Sequence, residues 1–410
     1  MKVWMVLTVF LSGLLASAQS ADLSTAWSGV QKAVEEGLPK TALEKLIAVE
    51  KEAVAQEQWA DAVKAVNERV AIEVSLRGGK SEEVIPDCRA AIGKAPEPMR
   101  PFMELVLAHH TWRYFSDNRW RFSRRTGVAG GEEGTDIATW SLPRILAEIE
   151  KQFERVMAYE EILKLTPVEE YGVLLEKGTA PDAYRPTLYD FVAYEMIDFY
   201  SLGEHAGALW EDEVELDAGG PALDDVKGFF FIIPDEAAKR SHVLRAFRIF
   251  QGLLNFHRKD ADPSAFADAD LNRLQFCRNQ VVGESRDARY ASALEHFAFV
   301  WKRHEIWARA SALRAKLALD AGDTGLARML AQQGAMSFPK SVGAAQCRNL
   351  IAEIEAPSVS LAAEQVWCAP WPELEICYKN ISEVRFRAVP VTFEELFAGR
   401  NRYRYQDAET

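Results

Sequence analysis

The stretch Trp307–Pro339, WARASALRAKLALDAGDTGLARMLAQQGAMSFP, decides how this chain is read. From Trp307 to Leu319 the apolar residues recur three and four places apart, the period of a helix with one buried face. Gly322-Asp323 interrupts that pattern, which resumes from Leu326 to Met336 until Phe338-Pro339 closes it. A Gly-containing breaker between two helical patterns predicts two antiparallel helices on a tight turn. Ala315 and Ala327 are small enough to let the two approach closely.

Working outward, Ala315, Ala327 and Pro339 are evenly spaced, at the places where a tetratricopeptide repeat puts a small residue, a small residue and a terminator. The same Ala-, Glu- and Lys-rich texture fills Leu23–Arg77, where Leu43, Leu46, Ile47 and Glu50 keep helical spacing and Gly37-Leu38-Pro39 suits a helix–helix turn. In the middle, Ser141-Leu142-Pro143 offers an N-cap ahead of a stripe made by Leu142, Ile145, Leu146, Ile149, Phe153 and Val156. Leu188, Phe191, Val192, Met196 and Phe199 draw another stripe. Gly127–Thr135 and the acidic Glu204–Gly228 are expected to be surface loops. The fold class expected is mainly α: a degenerate, tetratricopeptide-like array of helical hairpins.

After Pro357 the period changes to two. Glu373–Tyr378 alternates polar with apolar, Lys379-Asn380 makes a turn, and Val384–Val389 alternates again, so a β-hairpin with one buried face is expected. Two or three strands cannot bury a sheet face alone. The expectation is a β-sandwich that begins at 357 and is cut short by 410.

At the other end, Lys2, the apolar run Val3–Leu15 and Ala16-Ser17-Ala18 have the layout of a cleaved signal peptide. Three regions are therefore expected: a signal peptide at 1–18, helical hairpins over 19–356, and the start of a β domain over 357–410. The product should be exported, to a periplasm or outside the cell, with no membrane span. A net charge of −13 argues against nucleic acid and anionic membranes as partners. Cys88, Cys277, Cys347, Cys368 and Cys377 are too few to build the fold by disulfides, though Cys368 and Cys377 could form a local bridge.

Several segments resemble the N-terminal region of bacterial alpha-2-macroglobulin-like proteins. They are Asn118–Phe122 with Arg124-Arg125-Thr126, Thr139-Trp140-Ser141-Leu142, Arg185–Phe191, Leu253–His257, the junction near Pro357, and Leu374–Asn380. Their order and spacing agree with that family across the mature chain. The resemblance implies helices followed by macroglobulin-like β-sandwich domains, in a family that inhibits endopeptidases by trapping them. The bait segment and the thioester domain of that family would lie beyond this chain, so it is expected to scaffold and interact rather than trap. Proteases are the targets that the resemblance implies for the full-length family. The rival reading is a free-standing periplasmic helical-repeat protein that binds peptides or glycans.

No enzyme, cofactor or metal site is expected. Cys277-Arg-Asn-Gln280 has thioester spacing but lies in a predicted helix, where a buried thiol is the simpler reading. The seven His carry no zinc motif, and a helical glycosidase would need a regular ring of helices that is missing. Asp260, Asp262, Asp268 and Asp270 are expected to be helix N-cap acids. One segment stands out: Trp112–Arg125 interleaves arginines with aromatics, read first as an Arg–aromatic lattice locking two helices. Arg113, Arg119, Trp120, Arg121, Arg124 and Arg125 are the candidate interaction surface.

Overall fold

The computed structural model describes residues 23–123, 134, 136–203, 216–232, 241–363 and 373–387. These residues are mainly helical and divide into two compact units after Cys347. The first unit opens with α1 (23–35), α2 (Pro39–Ala55), α3 (Trp59–Leu76), α4 (Val84–Ile92), α5 (Arg100–Asp117) and the short α6 (Arg119–Ser123). It continues with α7 (Leu142–Met157), α8 (Glu160–Leu165), α9 (Leu188–Tyr200), the short α10 (Val226–Phe230), α11 (His242–His257) and α12 (Ser264–Gln280). Then come α13 (Arg286–Val300), α14 (Ile306–Asp320), α15 (Thr324–Ser337) and α16 (Val342–Glu355), the last running past the division. Among the described residues no helix is long and apolar enough to cross a membrane.

Hairpins recur because their turns share one cap. After α1, α2, α3 and α14 a residue with positive φ follows the helix: Gly37 (+69°), Glu57 (+55°), Gly78 (+69°) and Gly322 (+84°). In each case the next residue donates its N–H back across the last turn, as Leu38 does to Ala33 O and Asp323 to Ala318 O, both at 2.9 Å. This is the Schellman arrangement, which satisfies carbonyls that the helix end would leave unpaired. The expected α14–α15 pair forms as the spacing predicts, with Ala315 and Ala327 buried against it. Two glycines let α16 pack closely on this pair. A β-carbon on Gly334 would lie 2.5 Å from Cys347 Sγ, and one on Gly343 would overlap the Arg309 nitrogen and the Ala308 carbonyl carbon.

Aromatic and branched side chains fill the middle of this unit. On α7 the predicted stripe is real: Ile145, Leu146, Ile149, Phe153 and Val156 are buried. It packs against α5, while α9 and α12 pack on α11. Thr187 and Asp190 form a reciprocal capping box that starts α9.

Four expectations need correction. The buried face of α2 is Ala42, Leu46, Val49 and Ala53, with Ile47 half exposed, because small alanines rather than the larger Leu43 and Ile47 meet α3. The later part of the acidic stretch is not a plain surface loop, although Asp217, Asp224 and Asp225 are exposed. Leu216–Asp217 (β1) pairs in parallel with Val281–Val282 (β2), and Ala222, Leu223 and Phe229 are buried. Glu204 to Glu215 lies outside the described residues. Asp268 and Asp270 are not N-caps; both sit inside α12, buried and ion-paired. The fourth concerns the strands.

In the second unit Leu374–Lys379 (β4) is a strand as expected, but its partner is Ser358–Ala363 (β3), which pairs antiparallel with it. Residues 383–387 form no strand, and 388–389 lie outside the described residues. The register sets Val359 opposite Tyr378, Leu361 opposite Ile376 and Ala363 opposite Leu374. Opposed residues share a face, so one side of the ribbon is wholly apolar. The predicted turn is present: Asn380 has φ +54°, and its amide donates to Ile354 O and Ala356 O at the end of α16.

Candidate functional site

The Trp112–Arg125 segment splits by chemistry on folding. Trp112 packs edge-on against Phe153 and Phe199, each at 6.1 Å, and Phe122 lies 5.7 Å from Phe115 and 6.1 Å from Tyr114. Arg113, Arg119, Trp120 and Arg121 are exposed instead. Arg121 stacks over Trp120 at 5.3 Å. Among the described residues the inward ring contacts are thus aromatic on aromatic, while the Arg121–Trp120 stack of the expected lattice lies at the surface. Arg124 and Arg125 lie outside the described residues.

Behind Arg113 is a cavity of about 410 Å3. Its walls are apolar, from Phe102, Leu105 and Val106 of α5, Phe153 of α7, Tyr171, Leu174 and Leu175 between α8 and α9, and Leu188 and Phe191 of α9. Its polar edge is Asn67, His109, His110, Arg113, Glu176 and Glu195. Such a hollow, apolar with a few convergent polar groups, is the usual form of a small-ligand site. His110 Nε2 lies 2.6 Å from Asn67 Oδ1. The oxygen only accepts, so the ring donates there and Nδ1 carries the lone pair. Burial, with the neighbouring His109 and Arg113 charges, lowers the His110 pKa to about 4, so the ring is neutral at pH 7. His109 Nδ1 stands 3.8 Å from Glu195 Oε2. The groove lined by α3 and α4 is a poorer candidate, because its charges already satisfy one another: Arg69 holds Glu50 at 2.8 Å and Glu73 at 3.1 Å, and Arg77 holds Asp87 at 2.5 Å.

Deeper in the unit a polar seam joins α9, α11, α12 and α14. The His257 ring is clasped at both nitrogens, by Asp190 and by Asp260, each at 2.7 Å, and Thr187 Oγ1 donates to Asp190 at 2.7 Å. One turn along α9, the Tyr194 hydroxyl donates to Asp268 at 2.8 Å, and Arg309 donates to the same carboxylate. Arg185 stacks on the Tyr194 ring at 3.6 Å. Arg273 binds Asp270 and the Ala222 carbonyl. Asp190, Asp268 and His257 are at most 2% exposed, so they can position helices but cannot meet a substrate. Asp262 alone of the four acids caps locally, accepting from the Ser264 N–H at 2.9 Å.

Cys277 lies in α12, fully buried, and burial pushes its thiol up to about 12. A protonated, enclosed thiol cannot serve as a thioester nucleophile. Cys88 and Cys347 are also buried thiols outside any disulfide, Cys347 Sγ donating to Ala308 O at 3.4 Å, and Cys377 is an exposed thiol; Cys368 lies outside the described residues. His304 hydrogen-bonds Ser264 and the Ile306 N–H, and among the described residues no group of side chains could hold a metal ion.

Sequence reasoning found Arg113 but missed the cavity. The Thr187-x-x-Asp190 spacing could have announced the cap of α9. Nothing local announces His257, which is brought to Asp190 from far along the chain. No protein-family model, no curated protein and no solved structure matches this chain.

Proposed function

We propose that this chain is the helical scaffold and interaction region of an exported alpha-2-macroglobulin-like endopeptidase inhibitor, with no bait region or thioester of its own. The observation that carries this reading is the β3–β4 ribbon. Val359, Leu361, Leu374 and Tyr378 are 44–62% exposed on its apolar side. A face of that kind is marginal alone and calls for a cover, which a larger layered sheet, the kind of domain that follows the helices in that family, would supply. A second support comes from two segments that carry the resemblance, Arg185–Phe191 and Leu253–His257. They meet at the Asp190–His257 contact, so the residues that prompted the comparison also hold the helices together.

The test is the native product. An antibody raised against the helical unit, used on the exported proteins of the producing cells, should detect a chain much longer than 410 residues whose further sequence carries a Cys-x-x-Gln thioester segment. A product of 410 residues or fewer would overturn the reading.

The cavity behind Arg113 favours a second reading, a free-standing periplasmic helical-repeat protein that binds peptides or glycans. Under it, a chain ending before Pro357 would bind such a ligand unaided, and the strands would be dispensable.

A further inference from the structure

We infer that the cavity behind Arg113 is a binding site for a primary ammonium carried on a bulky apolar group, such as an arylalkyl amine or the first residue of a peptide. The site stands apart from the inhibitor reading, and neither requires the other.

The apolar end is built for an aromatic or branched group. Phe102 and Tyr171 stack with centroids 4.2 Å apart, and Leu105 and Leu188 are buried beside them. A hollow of about 410 Å3 holds a phenyl ring and its alkyl linker with room for a further group.

The polar edge selects the charge. One guanidinium, two imidazoles and two carboxylates border the cavity, but they are not equally screened. Arg113 is 73% exposed and has Asp117 beside it at 3.9 Å, and His109 is 58% exposed. The Glu195 side chain is only 25% exposed. Solvent screens the first two, while a half-buried carboxylate keeps more of its field inside the hollow. His110, also in the lining, is neutral and keeps Nδ1 as an acceptor, because Nε2–H is spent on Asn67. Acceptors therefore dominate within, and a ligand must bring donors and positive charge. A carboxylate on the same apolar body would face Glu195 and be rejected.

Calorimetric titration of the full chain at pH 7 and low salt tests this with three probes of one shape: phenylethylamine, 2-phenylethanol and 3-phenylpropionate. The amine should bind about tenfold or more tightly than the alcohol, and the acid least, the scale of one charge-assisted hydrogen bond. Glu195→Gln should bring the amine down to the level of the alcohol while leaving the alcohol unchanged. Leu174→Trp should fill the hollow and abolish all three, with the helical circular dichroism retained; Leu175→Trp, on the same turn, replaces it if that variant fails to fold. Phe-Gly-Gly against its N-acetyl form separates the sources. Loss of binding on acetylation assigns the site to peptide N-termini, whereas binding of the free amine alone assigns it to small amines. Equal affinity for amine and acid, indifference to Glu195→Gln, or no heat from any probe at about 10 mM would overturn the assignment.

Discussion

His257 ties α11 to α9 through Asp190, a residue 67 positions away in the sequence. Burial alone would lower its pKa, but the hydrogen bonds and charges of Asp190 and Asp260 outweigh it and raise the value. A raised pKa means that the folded state holds the proton more tightly than the unfolded chain. The stabilisation is therefore complete below the unfolded value, near 6.5, and is lost as pH climbs through the folded one. Urea unfolding between pH 6 and pH 9 should show that decline. His257→Gln should flatten it and cost about 2–4 kcal/mol at pH 6, since Asp190 is left buried without its partner. His110 behaves in the opposite sense. Its pKa is lowered to about 4, so its contribution is present above about 6.5 and is lost as pH falls toward 4. Unfolding free energies at pH 7 and pH 4 should differ by about 2–3 kcal/mol from this residue alone, and His110→Gln, which can still donate to Asn67, should remove that share. Neither role was legible from the sequence. A His is recognisable as a switch only when its partners are known, and these partners come from other helices.

At the scale of elements, the turns explain both what the sequence disclosed and what it concealed. Gly37 and Gly322 mark their breaks plainly, because Gly adopts positive φ without strain. Glu57 occupies the same conformation after α2 with the same return hydrogen bond, from Gln58 N–H to Ala53 O at 2.8 Å, yet gives no such signal. Glu57→Gly should therefore stabilise the chain, by about 1 kcal/mol, read as a higher thermal midpoint; a fall would mean that the Glu side chain makes a compensating contact in solution. The glycines inside helices have a different origin. Gly343→Ala should destabilise by about 1–3 kcal/mol because its β-carbon meets the backbone of α14 rather than a movable side chain. Gly29→Ala, whose β-carbon meets only the end of Lys45, should be neutral or gain up to about 1 kcal/mol from helix propensity. Helical period showed where α7, α14 and α15 run. It could not show which face of α2 is inward, because alanines rather than the larger Leu43 and Ile47 make that contact.

For the molecule as a whole, the informative feature is the change of period after Pro357. The sequence disclosed that change and the strand Leu374–Lys379, but not the strand's partner. Strand pairing is a long-range choice, and the alternation at Val384–Val389 does not tell which segment lies beside Leu374–Lys379 in space. The resulting ribbon sends Val359, Leu361, Ala363, Leu374, Ile376 and Tyr378 to one side. An apolar face of that size favours association with any complementary sheet or with itself. Replacing Val359, Leu361 and Tyr378 together by Thr keeps the strand preference while making the face polar. Binding of a hydrophobic dye and concentration-dependent light scattering should both fall in that variant. The helical unit should unfold within about 0.5 kcal/mol of its original stability, as expected for surface changes away from its core. Unchanged dye binding would mean that the face is already covered in solution. The ribbon would then give no reason to expect a larger sheet, and the inhibitor reading would lose the observation that carries it.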